Sequence, residues 1–143
     1  MNDPRHVTAE GVAALNAHDE HRLRAVYAEG AVLEAPGPAR LEGAEQAVEY
    51  VMDWLRAFPD ARQEITNEVA AGEWVVQEFT FTGAHEGTLS TPQGELAPTH
   101  RRLEGKGVQI AHVRDGKIVE ERVYFDQLDV LTQLGVMPEP AAV

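Results

Sequence analysis

A tight hairpin near the C-terminus constrains the fold of this chain more than any other feature of its sequence. Asp115-Gly116 tolerates the positive φ angles that a two-residue turn needs, and strand-forming residues flank it on both sides. The outgoing strand alternates, with polar residues on one face and apolar residues on the other: Arg122, Tyr124 and Asp126 against Val119, Val123 and Phe125. The polar face therefore either meets water or lines a pocket.

The geometry of this turn decides which residues of the incoming strand share the polar face. A two-residue turn at Asp115-Gly116 sets Gln109 opposite Arg122. A three-residue turn that ends in a bulge shifts the pairing by one residue, so that Val108 faces Arg122 and His112 joins the polar face. The sequence leaves both arrangements open, and both Gln109 and His112 are candidates for a substrate-binding site.

Helical patterns precede residue 60 and strand patterns follow it. Asp3-Pro4 and Asp19 are typical helix starts, and the third helix is predicted from about Ala44 to Phe58. Four strands follow: Arg62–Ala70, Trp74–Thr82, Thr99–Arg114 and Lys117–Asp126. A short terminal helix is predicted after them. This order predicts an α+β fold, with three N-terminal helices across the concave side of a curved, mostly antiparallel sheet that encloses a cavity.

Length and composition limit the classes of protein to consider. The 143 residues suit a single domain, residues 1–143, with a core at about 8–137. The 24 acidic residues outnumber the 12 basic ones, which argues against binding to nucleic acid or to anionic membranes. The start of the chain does not resemble a signal peptide, and no apolar run approaches the ~20 residues that span a bilayer. We therefore expect a cytoplasmic protein.

Several kinds of catalytic site find no support in the sequence. The absence of cysteine excludes thiolate catalysis and Cys-based zinc sites. There is no His-x-x-x-His motif, no GxGxxG motif and no phosphate-binding loop, so we expect neither a metal nor a nucleotide cofactor. Ser90 is the only serine and lacks the Gly-x-Ser-x-Gly context of a serine hydrolase.

A series of short motifs along the chain resembles a known family. The motifs occur in this order: Phe58-Pro59-Asp60, Phe81-Thr82-Gly83-Ala84-His85-Glu86-Gly87, Pro98-Thr99, Arg114-Asp115-Gly116-Lys117-Ile118, Glu120-Glu121-Arg122-Val123-Tyr124-Phe125-Asp126 and Gln133-Leu134-Gly135. This series resembles the SnoaL-like polyketide cyclases, a branch of the NTF2-like cone-shaped α+β fold, over roughly residues 8 to 137. Ala84 and His100 stand where the family often has Thr and Gly, and these departures bear on the substrate.

The resemblance implies a cofactor-free intramolecular aldol condensation on a small apolar or aromatic, polyketide-like molecule. Asp126 matches the position of the family's acid/base aspartate, and His85 lies within a family motif and is a second catalytic candidate. Tyr124 and Arg122 would bind substrate oxygens beside Asp126. From position alone, Asp126 is equally well read as the N-cap of the terminal helix.

Two other functions remain open on the same fold. An isomerase or epoxide hydrolase would need a second acidic group to position water, and Glu78 is the candidate. A small-molecule-binding protein without turnover would use Asp126 only as a cap.

Trp54 and Phe58 on the third helix are candidates for the pocket lining, although core packing explains them as well. The face of the last strand that carries Val119, Val123 and Phe125 would be exposed if helices cover the opposite face. We therefore expect a homodimer that forms through the outer face of the sheet.

Overall fold

Residues 3–91 and 94–136 are described by the computed structural model, and the two ends of the predicted domain lie outside this range. The described part contains four helices and eight strands: α1 Pro4–Asn16, α2 Glu20–Val26, β1 Tyr27–Ala35, β2 Ala39–Glu42, α3 Ala44–Ala57, β3 Arg62–Ala71, β4 Trp74–Ala84, β5 Leu89–Thr91, β6 Gly94–Leu96, β7 Arg102–Arg114, β8 Lys117–Phe125 and α4 Gln127–Gln133. None of these helices is long and apolar enough to cross a bilayer.

Side-chain caps start the first two helices where the sequence predicts them. The side chain of Asp3 accepts a hydrogen bond from the backbone N–H of Arg5, and Pro4 occupies the first turn of α1. The side chain of Asp19 accepts from the backbone N–H of Arg22 at the start of α2. These caps fix the ends of the helices that cover the sheet.

One six-stranded sheet carries the helices, in the order β2-β1-β8-β7-β4-β3. Its neighbouring strands run antiparallel, apart from the parallel pair of β1 and β8. The predicted α+β architecture is therefore confirmed. The segment 83–98, predicted as a loop, instead contains the small β5–β6 hairpin.

The hairpin at residues 114–117 is present, but its register differs from both predicted arrangements. Asp115 and Gly116 have φ angles of 53° and 74°, as a two-residue turn requires. Arg114 pairs with Lys117, and the register then shifts, so that Gln109 pairs with Val123. The extra residue in β8 forms a bulge shortly after the hairpin turn, and the sequence did not predict this bulge.

This bulge decides which residues of β8 face the helices. Ile118 and Glu121 both point to the helix-covered face, although they are three positions apart along the strand. Beyond the bulge, Val123 and Phe125 point the same way. The predicted outer face of Val119, Val123 and Phe125 is therefore wrong: two of the three line the interior.

The long strand β7 contains two glycines, Gly105 and Gly107, but they form no bulge with β4, because the two strands pair without a register shift from Ala84↔Arg102 to Trp74↔His112. Gly107 serves a packing purpose instead. A Cβ atom built on Gly107 would lie 2.6 Å from Phe79 Cζ and 2.7 Å from the carbonyl oxygen of Tyr124.

Replacing Gly107 by alanine is expected to destabilise the fold by about 1–3 kcal/mol, because the added methyl group displaces a buried ring. Urea denaturation would measure the change in the free energy of unfolding. Gly30→Ala is the matched control, since Gly30 is also in a strand and a Cβ there meets no atom within 4 Å. Equal losses in the two variants would contradict the packing role of Gly107.

Candidate active site

A deep cavity lies between the sheet and the helices. It measures about 940 Å³ when the space at its mouth is included. All four helices contribute to its walls, through residues such as Gly11, Leu23, Trp54 and Val130. The walls are mostly apolar, so the cavity suits an apolar or aromatic molecule of modest size.

Among the described residues that line this cavity, Glu121 carries the one carboxyl group. Its side chain lies on β8 and is 8% exposed. The hydroxyl of Tyr27 donates a hydrogen bond of 2.6 Å to Glu121 Oε1. Burial raises the pKa of Glu121, and the hydrogen bond from Tyr27 opposes this by stabilising the ionised form. Burial also raises the pKa of Tyr27, which therefore stays a donor.

Three glutamine side chains form a polar line across the sheet wall. Gln63 Nε2 donates to Gln109 Oε1 at 3.2 Å, and Gln109 Nε2 donates to Gln77 Oε1 at 2.8 Å. Gln77 Nε2 in turn donates at 2.9 Å to Glu68 Oε1, on an exposed part of β3. Polar groups that enter an apolar site in this way orient a bound molecule.

An aromatic cluster forms another part of the wall. Trp54 packs edge-on against Phe81 and Phe125, with ring centroids 5.8 and 5.5 Å apart. Phe58 stacks behind Trp54 at 5.8 Å. These contacts hold the indole ring in place and give the cavity a flat, rigid surface.

A model of the SnoaL-like polyketide cyclases matches residues 6–134. The chain belongs to this family. The resemblance seen in the sequence is therefore confirmed over nearly the whole chain.

Among characterised SnoaL-like relatives, the nogalonic acid methyl ester cyclase of Streptomyces nogalater is 33% identical over 92 residues. That match spans 63% of this chain and 66%, just under two thirds, of the relative. The crystal structure of IdmH from Streptomyces antibioticus is 27% identical, with a TM-score of 0.79 over 94% of this chain and all of IdmH. An NTF2-like protein of Cytophaga hutchinsonii shares the fold at 15% identity, with a TM-score of 0.65 over 88% of this chain and 92% of that protein.

Asp126 does not line the cavity, although it matches the position of the family's acid/base aspartate and was therefore expected there. Asp126 is exposed, and its Oδ1 accepts a hydrogen bond of 3.0 Å from the backbone N–H of Asp129. It is the N-cap of α4. The chain leaves the sheet after Phe125, so the side chain of Asp126 lies outside the interior wall.

Arg122 and Tyr124 also lie outside the cavity, on the outer face of the sheet. Arg122 is paired with Glu120 at 2.9 Å and lies over the ring of Trp74 at 5.7 Å. Tyr124 is 54% exposed. Their predicted position beside a substrate is wrong because the polar face of β8 is the outer face.

His112 and Glu78 belong to the same outer face. His112 stacks on Trp74 with ring centroids 4.4 Å apart, and its Nε2 lies 2.9 Å from Glu73 Oε1. Glu78 accepts a hydrogen bond of 2.7 Å from Asn67 Nδ2. The question of whether Gln109 or His112 faces inward is thus answered in favour of Gln109, which lines the cavity with Trp54.

His85 and Phe58 are buried behind the cavity wall. His85 has no exposed surface, stacks on Phe58, and accepts a hydrogen bond of 3.1 Å at Nδ1 from the backbone N–H of Thr99. Burial lowers the pKa of His85, which keeps the ring neutral. Its contacts tie the segment after β6 to the end of β4 and do not place it in the cavity.

Sequence reasoning missed six polar side chains of the cavity wall: Thr8, Tyr27, Tyr50, Gln63, Gln77 and Glu121. One signal for Glu121 was present. Under regular alternation it shares the predicted apolar face of the last strand with Val119, Val123 and Phe125. A lone charged residue on such a face is a candidate for a buried functional group. The glutamines gave no comparable signal, because a polar residue in a strand is usually exposed.

Proposed function

We propose that this chain is a cofactor-free acid/base enzyme that closes a ring of a small aromatic or polyketide-like molecule, with Glu121 as the catalytic residue. The observation that carries the proposal is the single carboxyl group inside an apolar cavity, with its pKa raised by burial. A carboxyl group with a raised pKa can both take and return a proton near neutral pH. The family and its characterised cyclase relative support the reaction class.

The ring closure would be an intramolecular aldol reaction in three steps. The carboxylate of Glu121 takes a proton from a carbon next to a substrate carbonyl, so that a C–H bond breaks and an enolate forms. The enolate carbon then attacks a second carbonyl carbon of the same molecule and forms the C–C bond. The new alkoxide oxygen receives the proton from Glu121, which returns to its starting state.

A binding protein without turnover is the second candidate. It is favoured by the short hydrogen bond from Tyr27, because a buried carboxyl that is already paired can have a purely structural role. The two candidates differ in whether Glu121 is needed for turnover or only for the integrity of the cavity.

Glu121→Gln is expected to lower turnover of a polyketide-like substrate by about 100- to 10,000-fold, because an amide neither takes up nor releases a proton near neutral pH. The amide keeps the shape of the side chain and can still receive the hydrogen bond from Tyr27. Ligand affinity, measured by fluorescence titration, should therefore change much less than turnover does.

Two controls accompany this variant. Glu120→Gln alters the neighbouring carboxyl on the outer face, and Asp126→Asn alters the cap of α4; both should keep the parent turnover. If Asp126→Asn alone abolished turnover, the role proposed for Glu121 would be wrong. If the parent binds ligands but turns over none, the binding protein is the better description.

Tyr27→Phe is expected to shift the pH profile of turnover to higher pH. Removing the hydroxyl removes the hydrogen bond that stabilises ionised Glu121, so the pKa of Glu121 rises further. A catalytic base must be ionised, and activity therefore increases as the pH rises through this pKa. The ascending limb of kcat against pH should shift to higher pH, whereas a purely structural role for Tyr27 would lower activity without moving the limb.

We also propose that the protein forms a homodimer through the outer face of the sheet. All four helices lie on the cavity side, and the outer face carries the partly exposed side chains of Val69, Trp74 and Tyr124. Exposed apolar side chains grouped on one face are typical of an interface between subunits.

Val76→Lys should convert such a dimer into a monomer, because it places a charge in the middle of this outer face. Sedimentation equilibrium would measure the mass. Leu128→Lys makes the same kind of change at an exposed position on α4 and should leave the dimer intact. A parent protein that sediments as a monomer would contradict the proposed interface.

A further inference from the structure

The line of glutamines on the cavity wall ends at a carboxylate outside the cavity. Gln77 and Glu68 are paired across β4 and β3, and Gln77 Nε2 donates to Glu68 Oε1 at 2.9 Å. Glu68 is exposed and is not among the residues that line the cavity. The polar groups of the wall are thus connected to a side chain that does not line the cavity.

Glu68 determines the direction of every hydrogen bond in this line. A carboxylate only accepts, so Gln77 must turn its amide nitrogen toward Glu68. The oxygen of Gln77 then faces Gln109, which must donate to it. The oxygen of Gln109 in turn receives the amide of Gln63.

Gln63, at the far end, keeps its Oε1 as the remaining acceptor of the line. Both backbone polar groups of Gln63 are hydrogen-bonded to the side chain of Asn16. The backbone N–H of Gln63 donates to Asn16 Oδ1 at 2.7 Å, and Asn16 Nδ2 donates to the backbone oxygen of Gln63 at 2.9 Å. In the described part of the chain, Gln63 Oε1 has no protein donor. The side-chain oxygen Oε1 of Gln63 is therefore the acceptor that this line offers to a ligand, beside the second N–H of each amide.

We propose that Glu68 is a specificity-determining positioning residue for the cavity. By fixing the amide direction, it makes Gln63 an acceptor, so that the cavity selects molecules with a phenol or enol hydroxyl over molecules that offer only a carbonyl or an ether oxygen. The proposal rests on the proposed function only in that the cavity is the ligand site. It names the hydroxyl-bearing class within the polyketide-like molecules considered above.

The chemistry of residue 68 predicts how the preference changes. A glutamine there can donate or accept, so both directions of the line become possible. A lysine there can only donate; it would drive Gln77, Gln109 and Gln63 to turn in sequence, and Gln63 would then present its amide nitrogen. Glu68→Gln should therefore weaken the preference for a hydroxyl, and Glu68→Lys should reverse it.

Fluorescence titrations with 2-naphthol and 2-methoxynaphthalene test this inference without any turnover. The parent should bind naphthol more tightly, by about 2- to 10-fold relative to the ether, as one neutral hydrogen bond allows. The ratio should approach one in Glu68→Gln and fall below one in Glu68→Lys. Glu64→Lys is the matched control, because Glu64 is exposed on the same strand but faces away from the glutamines; it should keep the parent ratio.

Two results would overturn the proposal. One is a ratio that stays at the parent value in both Glu68 variants, or that changes equally in Glu64→Lys. The proposed enzyme would survive this result if Glu121→Gln still lost turnover. The other is binding of neither probe by any variant, in which case the cavity is not a ligand site for aromatic molecules and the proposed function fails as well.

Discussion

The hydrogen bond between Tyr27 and Glu121 is the contact on which the rest of the interior depends. A buried carboxyl group without a partner costs several kcal/mol, by an amount that depends on its charge state. Tyr27 supplies that partner from the start of β1, the strand that runs parallel to β8. The parallel pairing of the two strands thus lets a mostly apolar cavity retain a buried carboxyl group.

The bulge in β8 is the structural device that brings this carboxyl group inside. Without the extra residue, regular alternation from Ile118 would send Glu121 to the outer face and an arginine inward. With the bulge, the side chains of Glu121, Val123 and Phe125 point into the cavity, and Arg122 lies over Trp74 on the outer face. One inserted residue therefore separates a polar outer face from an interior with a single carboxyl group.

Much of the fold could be read from the sequence because its signals are local. The caps at Asp3 and Asp19, the apolar stripe of the third helix and the turn at Asp115-Gly116 each depend on a few adjacent residues. The site could not be read in the same way. Which face of β8 is buried depends on a bulge, and a bulge is set by packing between strands rather than by the residues of one strand.

The comparison of Asp126 with Glu121 shows that a family motif does not determine where a side chain lies. Both are acidic and both belong to the last strand region, but Asp126 follows the end of the strand and caps α4. A motif fixes the position of a residue in the chain and not the direction of its side chain. The physical criterion that separates the two is burial in an apolar wall, which Glu121 alone satisfies.

The carboxyl group and the glutamine line give the cavity wall two sets of polar groups that behave differently. Glu121 changes between donor and acceptor as it gains or loses a proton, whereas the line that ends on Glu68 has a fixed direction. In the proposed enzyme, a bound molecule would be oriented by the glutamine line and chemically altered at Glu121. Such a separation of orientation from proton transfer would let a mostly apolar cavity with few polar groups discriminate between ligands and carry out acid/base chemistry.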